Sequence, residues 1–251
     1  MPPLRYLTVY GQGNSLMAAN IFENRHVMAR MRLYHSPGAC SLAVHIALEE
    51  IGCEYEPAML RVNQQENKRP EYLAVNPRGR VPALVIEDDK GERVLTEVLA
   101  ILTYLAGQFP EKGLLPLEGE AFARSLEWMS WLGSAVHQTG ARTIIRPSGF
   151  VDDEACQEKM REAGRLRVRA SYEDMNARLA GRQWAVADQY SFVDSLLVVY
   201  YRWGLKVGMD VRNDFPEFTR VIDKALARPA VRRAIDQEGI AAEFGIEEGV
   251  T

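Results

Sequence analysis

Over residues 31–108 the apolar period keeps changing, from two residues to three or four and back; after residue 118 it never returns to two. This change of texture constrains the fold more than any other feature, because a two-residue period belongs to strands and a longer one to helices. "MRLYH" is strand-like, and "CSLAVHIALEEIG" is an amphipathic helix closed by Gly52. "CEYEPAML" predicts a second strand, and "RPEYLAVNPRGR" a short helix or turn region broken by Pro77 and Gly79. "VPALVIEDD" and "RVLTE" read as two strands joined by a tight Gly-containing turn. "EVLAILTYLAGQF" is a further helix, with Val98, Ile101, Leu102 and Leu105 at helical spacing. The order β-α-β-α-β-β-α is that of a small α/β unit whose sheet ends in a hairpin.

Residues 109–118 read as a linker, within the stretch "PEKGLLPLEGE" (110–120) that carries two prolines and two glycines. Beyond it an all-helical domain is expected over residues 119–240, followed by a tail at 241–251. Residues 119–140 are expected to form one helix, and 153–180 another whose stripe is Met160, Gly164, Val168, Tyr172, Met175 and Leu179. "YSFVDSLLVVYYRW" opens with Ser191 and Asp194 at capping-box spacing, then runs apolar nearly all round from Leu196 to Tyr201. That is the pattern of a buried central helix. "FPEFTRVIDKALA" and "RPAVRRAI" supply two more, the second with Pro229 in its first turn. Residues 1–30 show no sustained period; they read as an extension outside the fold, with the upstream start misread as the true one.

The bulk numbers exclude several classes. With 30 basic and 34 acidic side chains the net charge is −4, so no basic field attracts nucleic acid or anionic lipid. No apolar run reaches the roughly 18–20 residues that span a bilayer. Three cysteines and four histidines fall at spacings that make no metal pattern. An odd cysteine count fits a reducing compartment, so a cytoplasmic location is expected.

Cys40 stands where "HSPGAC" passes into the first helix, a place at which serine or aspartate would cap better. One reading makes it a small buried hydrophobe. The other uses the partial positive charge and unpaired N–H groups of the helix end to favour a thiolate, lowering the thiol pKa below its ordinary value of about 8.5. His137 poses a similar choice. At α-helical spacing its neighbours are Ser130, Gly133, Ser134, Gly140 and Ala141, a trough of small side chains that opens into a cleft or permits close helix packing.

Four stretches decide between these readings: "SPGACSLAVHIAL", "NPRGRVPAL" followed by "LTEVLAILTYLA", "YSFVDSLLVVYYRW", and "RPAVRRAIDQEG". Together, and in this order, they make the chain from Met31 to Gly239 resemble the cytosolic glutathione transferases, most closely the bacterial beta class with its active-site cysteine. The resemblance implies an N-terminal thioredoxin-like domain (31–108), a C-terminal helical-bundle domain, and a homodimer. Glutathione is the implied co-substrate, with no metal, and a small electrophile the second substrate. Cys40 and His137 are then the catalytic pair. Ser36, Ala39, Cys40, Val81, Pro82, Glu97 and Val98 are the glutathione contacts.

Each contact has a physical use. Proline at position 82 removes a ladder donor at a strand entry, leaving the N–H and C=O of Val81 to pair with an extended peptide. Glu97 opens a helix, where the resemblance has an acid hold the γ-glutamyl amine while helix-end N–H groups bind its carboxylate. Val98 replaces the serine of many relatives, and Gln65 stands near where beta-class enzymes often carry a lysine. Trp131 and Arg142 are candidates for the acceptor pocket, Ser36 for a secondary donor. Tyr34 is expected to face the core, and Cys53 and Cys156 to be structural or surface residues. The implied activity is conjugation of glutathione to small electrophiles, with thiol-transferase or peroxidase activity through a mixed disulfide at Cys40 as a variant. The alternatives are a non-catalytic glutathione-binding scaffold and a related glutathione-dependent isomerase or dehalogenase.

Overall fold

A computed structural model describes residues 29–246. Strand β1 (Arg30–His35) lies in the middle of a four-stranded mixed sheet of order β2-β1-β3-β4. It pairs in parallel with β2 (Glu56–Met59) and antiparallel with β3 (Ala83–Asp88), which forms a hairpin with β4 (Gly91–Thr96). Helices α1 (Leu42–Ile51), α2 (Pro70–Val75) and α3 (Val98–Gln108) complete the expected order. The parallel β1–β2 pair needs a crossover, and α1 is that crossover. Gly52 ends α1 in the left-handed region, φ 73°, with its N–H on the Leu48 carbonyl.

Alternation along β1 sends Met31, Leu33 and His35 into the α1–α3 layer, and Arg32 and Tyr34 to the other face. Tyr34 is thus half-buried against Tyr72 of α2, with ring centroids 5.2 Å apart, rather than in the core where it was expected.

The segment 109–118 is pinned at two points. Leu114 and Leu115 are buried, and the Leu114 carbonyl accepts from the N–H of Phe192 at the start of α7 (Phe192–Lys206). Every residue of α7 from Phe192 to Gly204 is buried. The capping box forms: Asp194 Oδ2 accepts the Ser191 N–H at 2.8 Å, and its Oδ1 accepts that of Ala185 at 2.9 Å. Around α7 stand α4 (Gly119–Trp131), α6 (Glu154–Leu179), α9 (Pro216–Leu226) and α10 (Pro229–Glu238), with short α5 (Arg142–Ile145) and α8 (Val211–Asp214) between them.

Two expectations change here. The single helix over 119–140 is α4 continued by ten residues of π-helix, Leu132–Ala141, and then by α5. The trough beside His137 is therefore not one face, because a π-turn bonds i to i+5 and rotates the register. Ser130 and Ser134 are exposed, while Gly140 packs on Val168 of α6. The second change is at the C-terminal end. Of the segment read as a tail, Ala241–Phe244 forms a 3₁₀ turn with Ala241 and Phe244 buried. At the other end β1 begins at Arg30, one residue earlier than expected, and the extension before residue 29 lies outside the described residues.

Candidate active site

The loop joining β1 to α1 carries Ser36, Pro37, Gly38, Ala39 and Cys40. It closes on itself: the Ala39 N–H donates to the Ser36 carbonyl at 3.0 Å, and Ser41 Oγ accepts the Ser36 N–H at 3.1 Å. Ser41, the residue before α1, thus spends its hydroxyl on the loop and makes no side-chain cap. Gly38 has φ 61°, and a Cβ built there would run into the Arg202 guanidinium. Only glycine fits both constraints.

The helical part of the chain holds this loop from three directions. Arg202 Nη1 and Trp203 Nε1 donate to the Gly38 carbonyl at 2.6 and 2.9 Å, and the Gly38 N–H donates to Glu238 Oε2 at 2.6 Å. Glu238 Oε1 also accepts from His35 Nδ1 at 3.2 Å and His45 Nδ1 at 2.9 Å. All three side chains are buried. Burial opposes charge on Glu238, but the bonds from His35 and His45 outweigh it and hold the carboxyl below its usual 4.5. These three groups are of metal-ligating type, with ligand atoms within 4.8 Å of one another. Their carboxylate oxygens are already filled by N–H donors, so hydrogen bonding accounts for the cluster. Sequence reading missed it. A histidine inside the otherwise apolar "LAVHIAL" was a visible signal for His45, but nothing local pointed to a partner 193 residues away.

Cys40 is half-buried, and its thiol donates to the Val81 carbonyl at 3.5 Å. The thiol pKa was expected to fall; it rises instead. Burial pushes it up to about 12, and the N–H groups of Cys40 and Ser41 pull the other way without prevailing. α1 begins at Leu42, so Cys40 lies in the turn before the helix, where its own N–H and that of Ser41 favour the thiolate less than burial disfavours it. The carboxylate of Glu97 adds to the rise and Arg80 opposes it.

Val81 precedes β3 and stays out of its ladder; the Val81–Pro82 peptide is cis. Glu97 stands immediately before α3 with φ 72°, strained for a residue with a Cβ. Its side chain is exposed and 3.9 Å from Arg78. Val98 is the first residue of α3 and half-buried. Gln65 is exposed in the left-handed region, and its neighbour Gln64, not Gln65, reaches the cleft.

That cleft, of about 580 Å³, runs between the loop of Cys40 and the helical wall. Such a volume suits a small molecule. Ser36, Ala39, Cys40 and Val81 line one side, and His137, Arg142 and Trp203 the other. Cys40 and His137, 97 positions apart in the sequence, are brought to one cavity. His137 packs against Trp203 with centroids 4.7 Å apart and the rings tilted by 60°. Burial, then Arg142 and Arg80, depress its imidazole to about 4, so it is neutral near pH 7. Of the two acceptor-pocket candidates Arg142 is in place, but Trp131 packs on Trp128 and Arg178 away from the cleft. Pro82, Glu97 and Val98 lie outside the cleft lining. Cys53 is half-buried and Cys156 exposed, neither lining it.

Comparison with known proteins follows the same division. The family model described as "Glutathione S-transferase, N-terminal domain" matches residues 29–107, and that of the C-terminal domain residues 135–229. Glutathione S-transferase GST-4.5 of Xanthomonas campestris pv. campestris is 32% identical over 214 residues, covering 84% of this chain and 100% of its own. A sulfitobacter glutathione transferase homologue solved with bound glutathione superposes with a TM-score of 0.77 at 30% identity, covering 85% of this chain and all of its own. A sphingomonad glutathione S-transferase complexed with glutathione gives 0.72 at 35% identity, over 84% of this chain and 100% of its own.

Proposed function

The chain belongs to the glutathione S-transferase family, and on that premise we propose that it is a cysteine-type enzyme in which Cys40 assists as a neutral thiol. The protein is a glutathione transferase: a thioredoxin-like N-terminal domain and an all-helical C-terminal one, with glutathione as co-substrate. The finer reading is ours. Glutathione lies along residues 31–108, its backbone paired with the N–H and C=O of Val81 beside Pro82. Its γ-glutamyl end sits at Glu97 and the first N–H groups of α3, from Val98 on. Its sulfur sits beside Cys40, Ala39 and Ser36. A second substrate of small electrophilic type enters from the wall formed by residues 119–240. A homodimer in the cytoplasm completes the proposal.

One observation carries this reading: the Cys40 thiol, pointed at the Val81 carbonyl, lines the same cleft as His137. When glutathione occupies Val81, that S–H is free to turn and donate to the incoming sulfur, favouring glutathione's thiolate over its thiol. The thiolate then forms a bond to the electrophilic carbon, and the leaving group departs with its electron pair. The thiol proton goes to solvent, because His137, depressed to about 4, is too weak a base to keep it. Burial pushes the Cys40 thiol up to about 12, which disfavours its thiolate near neutral pH and so favours conjugation over disulfide exchange.

The experiment is Cys40→Ala, with the bound glutathione thiol titrated by its ultraviolet thiolate absorbance. Loss of a donor to a charged sulfur should raise that pKa and lower kcat/KM roughly 10–100-fold, with glutathione affinity little changed. An unaltered pKa and rate would show that another group activates glutathione.

A further inference from the structure

We propose that the acceptor taken by this cleft carries a carboxylate or comparable anionic group, received by Arg142 and Arg146 on the helical wall. The proposal rests on the transferase reading above, and deepens it by naming the substrate class.

The charge balance of the cleft is the starting point. Six cations line it against one carboxylate, that of Glu243, in a chain whose net charge is −4. Surface background does not explain that excess. Glu243 is already engaged: Arg202 Nη2 is 2.7 Å from it and Lys206 Nζ 3.8 Å. The other four, Arg61, Arg80, Arg142 and Arg146, have no carboxylate within ion-pair distance among the described residues. At the base of the wall Arg202 is buried with its Nε unpartnered. Like charges gathered without counter-charges cost stability, so a site that keeps them is built for an anion that arrives from outside.

Glutathione brings two carboxylates of its own, so the cations must be divided. Arg61 and Arg80 adjoin Val62 and Val81 on the wall where the tripeptide is placed. Arg142 and Arg146 lie opposite, on α5 and just after it, beyond the π-helix that presents His137. Arg142 is held in direction by Gln138, 3.0 Å away, and by the Phe150 ring, 5.1 Å beneath the guanidinium. Both partners are uncharged, so its charge stays available. After burial, Arg142 and Arg80 are what depress His137, in keeping with their charge reaching the reacting end. Trp203, His137 and Ile145 supply apolar and aromatic wall between the two ends. The shape is that of an aromatic or aliphatic body with an anionic head.

The test compares 4-chloro-3,5-dinitrobenzoate with its methyl ester. In both, the glutathione sulfur bonds to the chlorine-bearing ring carbon, chloride leaves with the bonding pair, and the thiol proton goes to solvent. The two S-conjugates are made chemically, and their binding to the full-length protein is measured by calorimetry at about 20 mM and about 200 mM salt. The carboxylate conjugate should bind about ten-fold more tightly than the ester conjugate at low salt, with the preference shrinking at high salt. The double variant R142Q/R146Q should reduce that preference to about two-fold or less while S-methylglutathione binds as before. Arg146→Gln alone, an exposed side chain, serves if the double variant folds poorly and should remove part of the preference. Equal binding of the two conjugates overturns the proposal. So does a variant that weakens S-methylglutathione as much as the carboxylate conjugate, since the arginines would then serve the tripeptide. Turnover of the ester is read separately. A protein that prefers the carboxylate conjugate but turns over neither chloride keeps its anion site and loses the transferase reading.

Discussion

Replacing Glu238 by glutamine tests whether the loop of Cys40 is held by an ionised, fully hydrogen-bonded carboxylate. Three donors converge on its two oxygens: His35 and His45 on Oε1, and the Gly38 N–H on Oε2 at 2.6 Å. The amide of E238Q can place its carbonyl at only one of these positions. The better choice keeps the two histidine bonds and turns an NH₂ toward the Gly38 N–H, leaving a buried donor facing a donor. That costs about 1–3 kcal/mol, and the two surviving bonds lose their charge assistance. Relief of the buried charge returns part of the loss, since burial is the largest influence on this carboxyl and opposes its ionisation. A net loss of about 2–3 kcal/mol follows, or roughly 4–12 °C in Tm for a chain of this size. Urea unfolding at fixed protein concentration reads it as a shift in midpoint at constant slope. The pH dependence has a definite sign. A folded carboxyl held below its ordinary 4.5 contributes stability that is present above that value and lost as pH falls through the lower folded one. The gap between wild type and E238Q should therefore stay level from pH 8 to about 5 and shrink below about 4.5. A loss under about 0.5 kcal/mol, typical of an exposed site, or a gap that widens in acid, would refute the reasoning.

Three further outcomes are expected. Without glutathione, iodoacetamide at pH 7 should label exposed Cys156 first and Cys40 last, because burial holds the Cys40 thiol near 12; peptide mass spectrometry that finds Cys40 labelled first would contradict that. His137, depressed to about 4, should put no limb into the kcat/KM profile between pH 5.5 and 8, and a limb near 6.5 that disappears in His137→Gln would show that it titrates normally. Gly164→Ala places a Cβ 2.8 Å from Ile144 Cγ1 and against Thr143 Oγ1, prising α6 from α5. Overpacking there should cost about 1–3 kcal/mol in a thermal melt, and an unchanged Tm would mean the two helices are not in close contact.

What could be read from the sequence was whatever depended on near neighbours. The capping box at Ser191 and Asp194, the Gly52 stop, and the apolar run of α7 are all fixed within a turn or two, and each forms as expected. Cys40 and His137 were identified through a resemblance that rests on such local stretches, and the structure brings both to one cleft. The errors fall where distance or register enters. The trough beside His137 assumed 3.6 residues per turn across a segment whose ten residues are π-helical, and no propensity marks that switch. Tyr34 was expected to face the core, yet alternation along β1 turns it to the opposite face from Leu33, which α2 covers only in part.

The thiol of Cys40 shows the same limit most sharply, and says what kind of cysteine this is. From sequence alone the helix N-terminus was the only visible influence, and it acts to lower a pKa. The structure adds two influences that sequence does not carry. One is the burial created when residues of α7 close over the loop through Gly38. The other is the Val81 carbonyl, 41 positions away, which accepts the S–H and so stabilises the protonated form. Both favour the thiol, and the turn before α1 keeps Cys40 off the helix end that would favour the thiolate. A cysteine in that setting is a poor nucleophile that keeps an S–H to donate, a weak donor but one aimed where a sulfur anion would sit. On the reading proposed above, its part in the reaction is to donate to the charge on glutathione's sulfur, a role that needs Cys40 to stay protonated at the pH where the enzyme works.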